Sequence, residues 1–144
     1  MAESVRSFRL DARGLERVLG DLEAAIMVSL WERPIPATIR EVKEHLSTQR
    51  VLAFTTVMTV MNRLVDKGLL VRTKVGRRHL YRPALDREAF LTDVAHEISR
   101  GLMGDMSEFA VAQFAAAVAE ADPAKLDELE RLVADWKARK RVKR

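Results

Sequence analysis

The feature that most constrains this chain is a change of hydrophobic period at Gly68. In the stretch AFTTVMTVMNRLVDKG, residues 53–68, the apolar side chains Phe54, Val57, Met58, Val60, Met61, Leu64 and Val65 recur at i, i+3, i+4 and i+7. That spacing predicts a helix with one buried face. Thr55, Thr56, Thr59, Asn62, Arg63, Asp66 and Lys67 then share the opposite face. Short hydroxyl and amide groups solubilise poorly, but they are good hydrogen-bonding partners for base edges and phosphates. Gly68 stands where a C-terminal cap belongs. Beyond it the period falls to two: residues 70–75 (LVRTKV) and 79–82 (HLYR) read as short strands, with Gly76, Arg77 and Arg78 as the turn.

Upstream, two shorter helices are predicted. The first runs from Gly20 to Trp31, with Leu22, Ala25, Ile26, Ser29 and Leu30 facing inward and Asp21 and Glu23 in the first turn, where the helix dipole favours acids. Pro34-Ile35-Pro36 ends it and forces an extended link. Thr38-Ile39-Arg40-Glu41 has the T-x-x-E spacing of a capping box and opens a second helix through Leu46. Three helices followed by a hairpin is the order of a winged helix-turn-helix module. The third helix is narrow enough for a major groove, and the hairpin can lie along the neighbouring backbone. Arg72, Lys74, Arg77, Arg78 and Arg82 make the hairpin basic, and no acid lies between Val71 and Pro83. Residues 1–18, with four arginines, read as a poorly ordered arm.

The charge distribution supports that division of labour. Residues 1–83 carry 15 basic against 9 acidic groups, residues 84–136 carry 4 against 12, and residues 137–144 carry 6 basic groups and no acid. Only the front half is suited to meet a polyanion. The absence of cysteine removes disulfides, thiolate metal sites and cysteine nucleophiles. No apolar run at the N-terminus resembles a secretory signal, and residues 109–119, eleven in number, are far short of the ~20 needed to span a bilayer. A location in the cytoplasm, at the nucleoid, is expected. His45, His79 and His96 lie on three elements without ligand spacing, and no glycine-rich phosphate loop or nucleophile motif accompanies them. No enzyme activity, metal or cofactor is expected.

From Asp86 onward the pattern is helical again. Asp86 is placed to cap a helix carrying Phe90, Leu91, Val94 and Ile98. Gly101 and Gly104 are expected to break it, with Asp105 and Glu108 starting another that carries Met106, Phe109, Ala110, Phe114, Ala117 and Val118. Asp122-Pro123 opens a last helix, presenting Leu126, Leu129, Leu132, Val133 and Trp136. The expected organisation is an arm at 1–18, a winged helix at 19–84, a helical dimerisation region at 85–136 and a disordered basic tail at 137–144. One reading helix grips DNA weakly, and symmetric pairing supplies two half-sites, which favours Phe109, Phe114, Leu126, Leu129, Leu132, Val133 and Trp136 as dimer contacts.

Several segments resemble the BlaI/MecI penicillinase-repressor family: residues 19–23 (LGDLE), Leu30-Trp31, residues 37–42 (ATIREV), residues 53–59 (AFTTVMT), Arg63-Leu64, residues 67–70 (KGLL), and the wing strand ending Tyr81-Arg82-Pro83. The resemblance covers about residues 19–83 at motif level; beyond Asp86 only the helical layout agrees. It implies a homodimeric repressor of a palindromic promoter operator. Thr55, Thr56, Thr59, Asn62 and Arg63 would be groove residues, and Lys67, Arg77 and Arg78 backbone contacts. Of these Asn62 is the foremost candidate for base reading, since an amide can bond two atoms of an adenine edge. Two family devices are absent. Asn62 is the only asparagine, so the Asn-Phe cleavage site of β-lactam-responsive members is missing, and so are the cysteine pairs of copper-responsive relatives. The inducing signal, and any sensor or protease partner, stay open. The alternatives are a winged helix that binds a protein, and a regulator whose Met103, Met106, Phe109 and Phe114 line a ligand pocket.

Overall fold

The computed structural model describes Leu15 and residues 19–142, without the side chains of Asp105 and Met106. The arm at 1–18, Leu15 aside, and the last two residues of the basic tail lie outside the described residues. The elements are α1 (Asp21–Trp31), α2 (Ile39–Leu46), α3 (Phe54–Asp66), β1 (Leu70–Val75), β2 (Arg78–Pro83), α4 (Arg87–Ala121) and α5 (Pro123–Val142). Three helices and an antiparallel hairpin make a winged helix-turn-helix, followed by C-terminal helices. The chain divides into two compact units, Met1–Glu97 and Ile98–Arg144.

The first unit carries the core. Ile26, Met27 and Leu30 of α1, Val42 and Leu46 of α2, and Val57, Met61 and Leu64 of α3 are buried, and Tyr81 of β2, 1% exposed, is the largest side chain among them. On α1 the buried set is Ala24, Ile26, Met27, Ser29 and Leu30, while Leu22 and Ala25 are only half-buried. The inward face is therefore turned slightly from the expected stripe. On α3 Val57, Val60, Met61 and Leu64 are buried as expected, Met58 and Val65 are only half-buried, and Phe54 is 44% exposed, because it occupies the first helical position, beyond the edge of the core.

Local chemistry explains the boundaries. At α2, Glu41 N–H donates to Thr38 Oγ1 (3.2 Å) and Thr38 N–H donates to Glu41 Oε1 (3.3 Å), the reciprocal capping box. Glu41 also receives Arg33 Nη2 at 2.6 Å. The Thr38 backbone N–H, opposed in part by desolvation and joined by the Thr38 hydroxyl and the Arg33 charge, holds the Glu41 carboxyl below its ordinary range. A depressed folded pKa contributes stability above the unfolded carboxylate pKa and loses it as pH falls through the folded value. Glu41→Gln is accordingly expected to be less stable than wild type at neutral pH. The gap should close in acid, below the usual carboxylate range, as urea midpoints across a pH series would reveal. A gap of constant size at every pH would refute this.

Gly68 ends α3 as expected. Its φ is +79°, Gly68 N–H donates to Val65 O (2.9 Å) and Leu69 N–H to Leu64 O (2.9 Å), the paired bonds of a Schellman cap. The hairpin turn is tighter than expected. Val75 pairs with Arg78, leaving Gly76 and Arg77 as the two-residue turn, and Gly76 has φ +63°. Glycine at the first central position is the type II′ pattern, whose twist matches the strands. One pairing was not foreseen: Ala37 and Tyr81 exchange backbone bonds at 3.0 and 2.8 Å, so the link after Pro36 forms an isolated bridge with β2.

The C-terminal half departs further from expectation. Asp86 does cap α4, accepting from Ala89 N–H at 2.7 Å, and Asp122 Oδ1 accepts from Ala124 N–H (3.0 Å) behind Pro123. Phe90 and Val94 are buried in the first unit, where the Phe90 ring stands 5.4 Å from that of Trp31 and the Trp31 indole N–H donates to Leu85 O (2.9 Å). Gly101 and Gly104, however, do not break α4, and Asp105 and Glu108 lie inside it. A glycine in a helix interior costs only ~1 kcal/mol relative to alanine, and the adjacent Arg100, Leu102 and Met103 are good helix formers. Two C-terminal helices replace the expected three. Lys137 to Val142 are likewise helical rather than disordered, since lysine and arginine are good helix formers and favour the negative end of the dipole. No residue of α5 is buried.

Candidate nucleic-acid interface

The candidate surface is built from the outer face of α3 and the wing. Helix α3 enters at Ala53 without a side-chain cap and has no acid in its first turn, so its positive end is not neutralised locally. Thr55, Thr56, Thr59 and Arg63 are exposed, and the Schellman cap at Gly68 stops the helix just before β1. Thr59 Oγ1 donates to Thr55 O at 2.8 Å. This bond uses its proton within the helix and leaves its oxygen to accept and its methyl to make apolar contact.

Arg77 sits at the hairpin tip and Arg78 begins β2; both are exposed. Between the starts of α2 and α3 and this tip runs an open groove of about 710 Å³, lined by Thr38, Ile39, Arg40, Glu41, Phe54, Met58, Arg77, Arg78 and His79. Of these nine residues only Arg77 and Arg78 were among the DNA contacts expected from the sequence. Arg40 stands in the capping-box motif, directly after the helix start, and Phe54 was assigned to the buried face. The groove thus brings the positive end of a short helix, the first turn of α3 and the arginines of the wing to one place. Such a surface can hold phosphate along its rim and present hydroxyls and methyls to base edges.

Two expected contacts are otherwise engaged. Lys67 Nζ lies 2.7 Å from Glu23 Oε2, with the lysine side chain 28% exposed, and Glu23 Oε1 accepts from Gly20 N–H at 3.1 Å. Lys67 therefore ties the end of α3 to the start of α1, and its charge is already balanced. Asn62 is half-buried, and its Oδ1 accepts from Arg72 Nη1 (2.7 Å) and from Tyr81 Oη (3.1 Å). Neither partner was visible in the sequence, because both bonds form only when the hairpin folds onto the helix.

The apolar residues expected at a dimer contact lie at the surface of the single chain. Phe109 is 68% exposed, Phe114 57%, Val133 46% and Trp136 61%, with Leu126 and Leu132 also exposed and Leu129 half-buried. Met103 is exposed as well, so Met103, Phe109 and Phe114 do not form the enclosed lining that a small-molecule site needs. Among the described residues no helix is long and apolar enough to cross a membrane.

This chain is similar to several known proteins. The transcriptional regulator BlaI of Mycobacterium tuberculosis is 46% identical over 87 residues, which is 60% of this chain and 57% of the relative's length. A solution structure of the DNA-binding domain of the repressor BlaI is 30% identical and covers 48% of this chain and 83% of its own, with a TM-score of 0.44. A Bacillus licheniformis BlaI monomer in complex with the blaP half-operator is 30% identical over 49% of this chain and 84% of its own, with a TM-score of 0.42. The family model for the penicillinase repressor matches residues 19–135, from the first core leucine to the middle of α5. By that match, this chain belongs to the penicillinase repressor family.

Proposed function

We propose that this chain is a transcriptional repressor that binds a palindromic promoter operator as a homodimer and excludes polymerase from the overlapping promoter. One observation carries the reading: an exposed helix face of threonines and arginine lies beside a hairpin whose charged residues are all basic. Thr55, Thr56 and Thr59 supply base discrimination, and Arg63, Arg77 and Arg78, with Arg40 beside them, hold the backbone. Membership in a family of repressors, and the regulator name of the mycobacterial relative, support the same reading. Pairing through α4 and α5 follows from an apolar stripe that the single chain leaves uncovered, since two half-sites need two reading helices in fixed relation. No chemical step is assigned to the chain.

A salt titration on the protein's own upstream promoter, against a scrambled duplex of equal length, tests the proposal. Preference for the promoter by a factor of about 10³ or more, with affinity falling steeply in salt, is the expected result. Equal and weak binding to both duplexes would overturn it.

A further inference from the structure

Tyr81 is the most voluminous fully buried side chain in the first unit, and its hydroxyl needs a partner there. It donates to Asn62 Oδ1 at 3.1 Å. In the hairpin register Tyr81 pairs with Arg72, so the two side chains leave the sheet on the same face, the one turned toward α3. Arg72 Nη1 reaches the same amide oxygen at 2.7 Å. A guanidinium has no acceptor, so the atom facing it is the oxygen, and two donors occupy both of its lone pairs. Reading an adenine edge requires that oxygen to accept from the base. Here it is committed to the wing.

We infer that Asn62 is a positioning residue that holds the Arg72 guanidinium against the edge of the reading helix, and that Arg72, rather than Asn62, contacts DNA, at a backbone phosphate. Only one of the five N–H donors of Arg72 is taken by Asn62. The rest of the planar fork is free to meet a phosphate bidentately, and Arg72 is exposed at the seam between α3 and the wing. Fixing the fork beforehand reduces the side-chain freedom lost when DNA binds. The Tyr81 hydroxyl, anchored in the core, sets the position of the amide that does the fixing. This inference rests on the DNA-binding reading above.

The test is a double-mutant cycle of Asn62→Ala and Arg72→Ala, titrated with salt on promoter and scrambled duplexes. Arg72→Ala is expected to weaken both duplexes by about tenfold and to lower the salt slope by about 1. Asn62→Ala is expected to weaken both severalfold with the promoter preference retained, and to add nothing when Arg72 is already alanine. Loss of promoter preference in Asn62→Ala, with slope unchanged, would show that Asn62 reads a base and would overturn the inference. So would additive effects in the double variant. Arg72→Ala leaves the Tyr81–Asn62 bond in place, so an unchanged affinity in that variant overturns the inference whatever Asn62→Ala does to folding. Absence of promoter preference in wild type sinks the DNA reading itself, and the inference with it.

Discussion

A Val133→Glu/Trp136→Glu variant is expected to sediment as a monomer and to bind a duplex carrying both half-sites about 10²–10⁴-fold more weakly than wild type. Its affinity for an isolated half-site should not change. Helix α5 is 20 residues long and has no buried residue. Leu126, Leu129, Val133 and Trp136 repeat at spacings of three, four and three, the seam of a helix that packs against other helices. Val133 and Trp136 are 46% and 61% exposed in the single chain, so glutamate at either position costs little within one subunit. At a paired interface the same carboxylates are desolvated and face their symmetry mates, which is strongly unfavourable. The guanidinium of Arg139, 5.5 Å from the Trp136 ring centroid, would lose its aromatic partner, a minor effect at an exposed site. Sedimentation velocity and fluorescence anisotropy on the two duplexes separate the outcomes. A variant that stays dimeric refutes the α5 seam. A monomer that still binds the full site as tightly as wild type refutes the need for pairing.

The parts of this fold that were legible in the sequence are those written in neighbouring residues. Thr38 and Glu41 are three apart and their capping box closes within one turn. Asp86 and Asp122 likewise cap the helices that follow them. Gly68 sits where only a left-handed residue closes the Schellman pair, and the change of period behind it announced the hairpin. Sequence patterns were weaker guides where local preferences are small or partners are distant. Gly101 and Gly104 looked like breaks, yet each costs only ~1 kcal/mol in a helix interior, too little to stop a 35-residue helix. Asn62 fell on the polar face by periodicity, but its neighbours in space are ten and nineteen residues away. Lys67 meets Glu23 across 44 residues, and no spacing rule connects them. The candidate site was thus readable as a face and a wing. The sorting of its polar residues into outward contacts and inward ties required the fold.

Outward contacts from the wing and from α3 are expected to affect DNA binding in opposite ways. Arg77 and Arg78 lie at the hairpin tip, where Gly76 allows the tight turn that projects them beyond the sheet. If each meets one phosphate, Arg77→Ala/Arg78→Ala reduces the salt slope by about 1.8, because each neutralised phosphate contributes ~0.9. The loss of affinity between 50 and 200 mM salt would then be roughly tenfold smaller than in wild type, and promoter and scrambled duplexes would weaken alike. Thr55→Ala/Thr56→Ala is expected to do the opposite. These residues carry no charge and sit in the first turn of α3, the part of a reading helix that meets base edges. Their removal should erase promoter preference by about 1–3 kcal/mol per specific contact while leaving the slope unchanged. Both residues are exposed, and alanine is the stronger helix former, so melting temperature should hold or rise slightly. If the threonine pair changes the slope and the arginine pair the preference, the assignment of helix to bases and wing to backbone is reversed. If neither pair changes either quantity, DNA meets this protein on another surface.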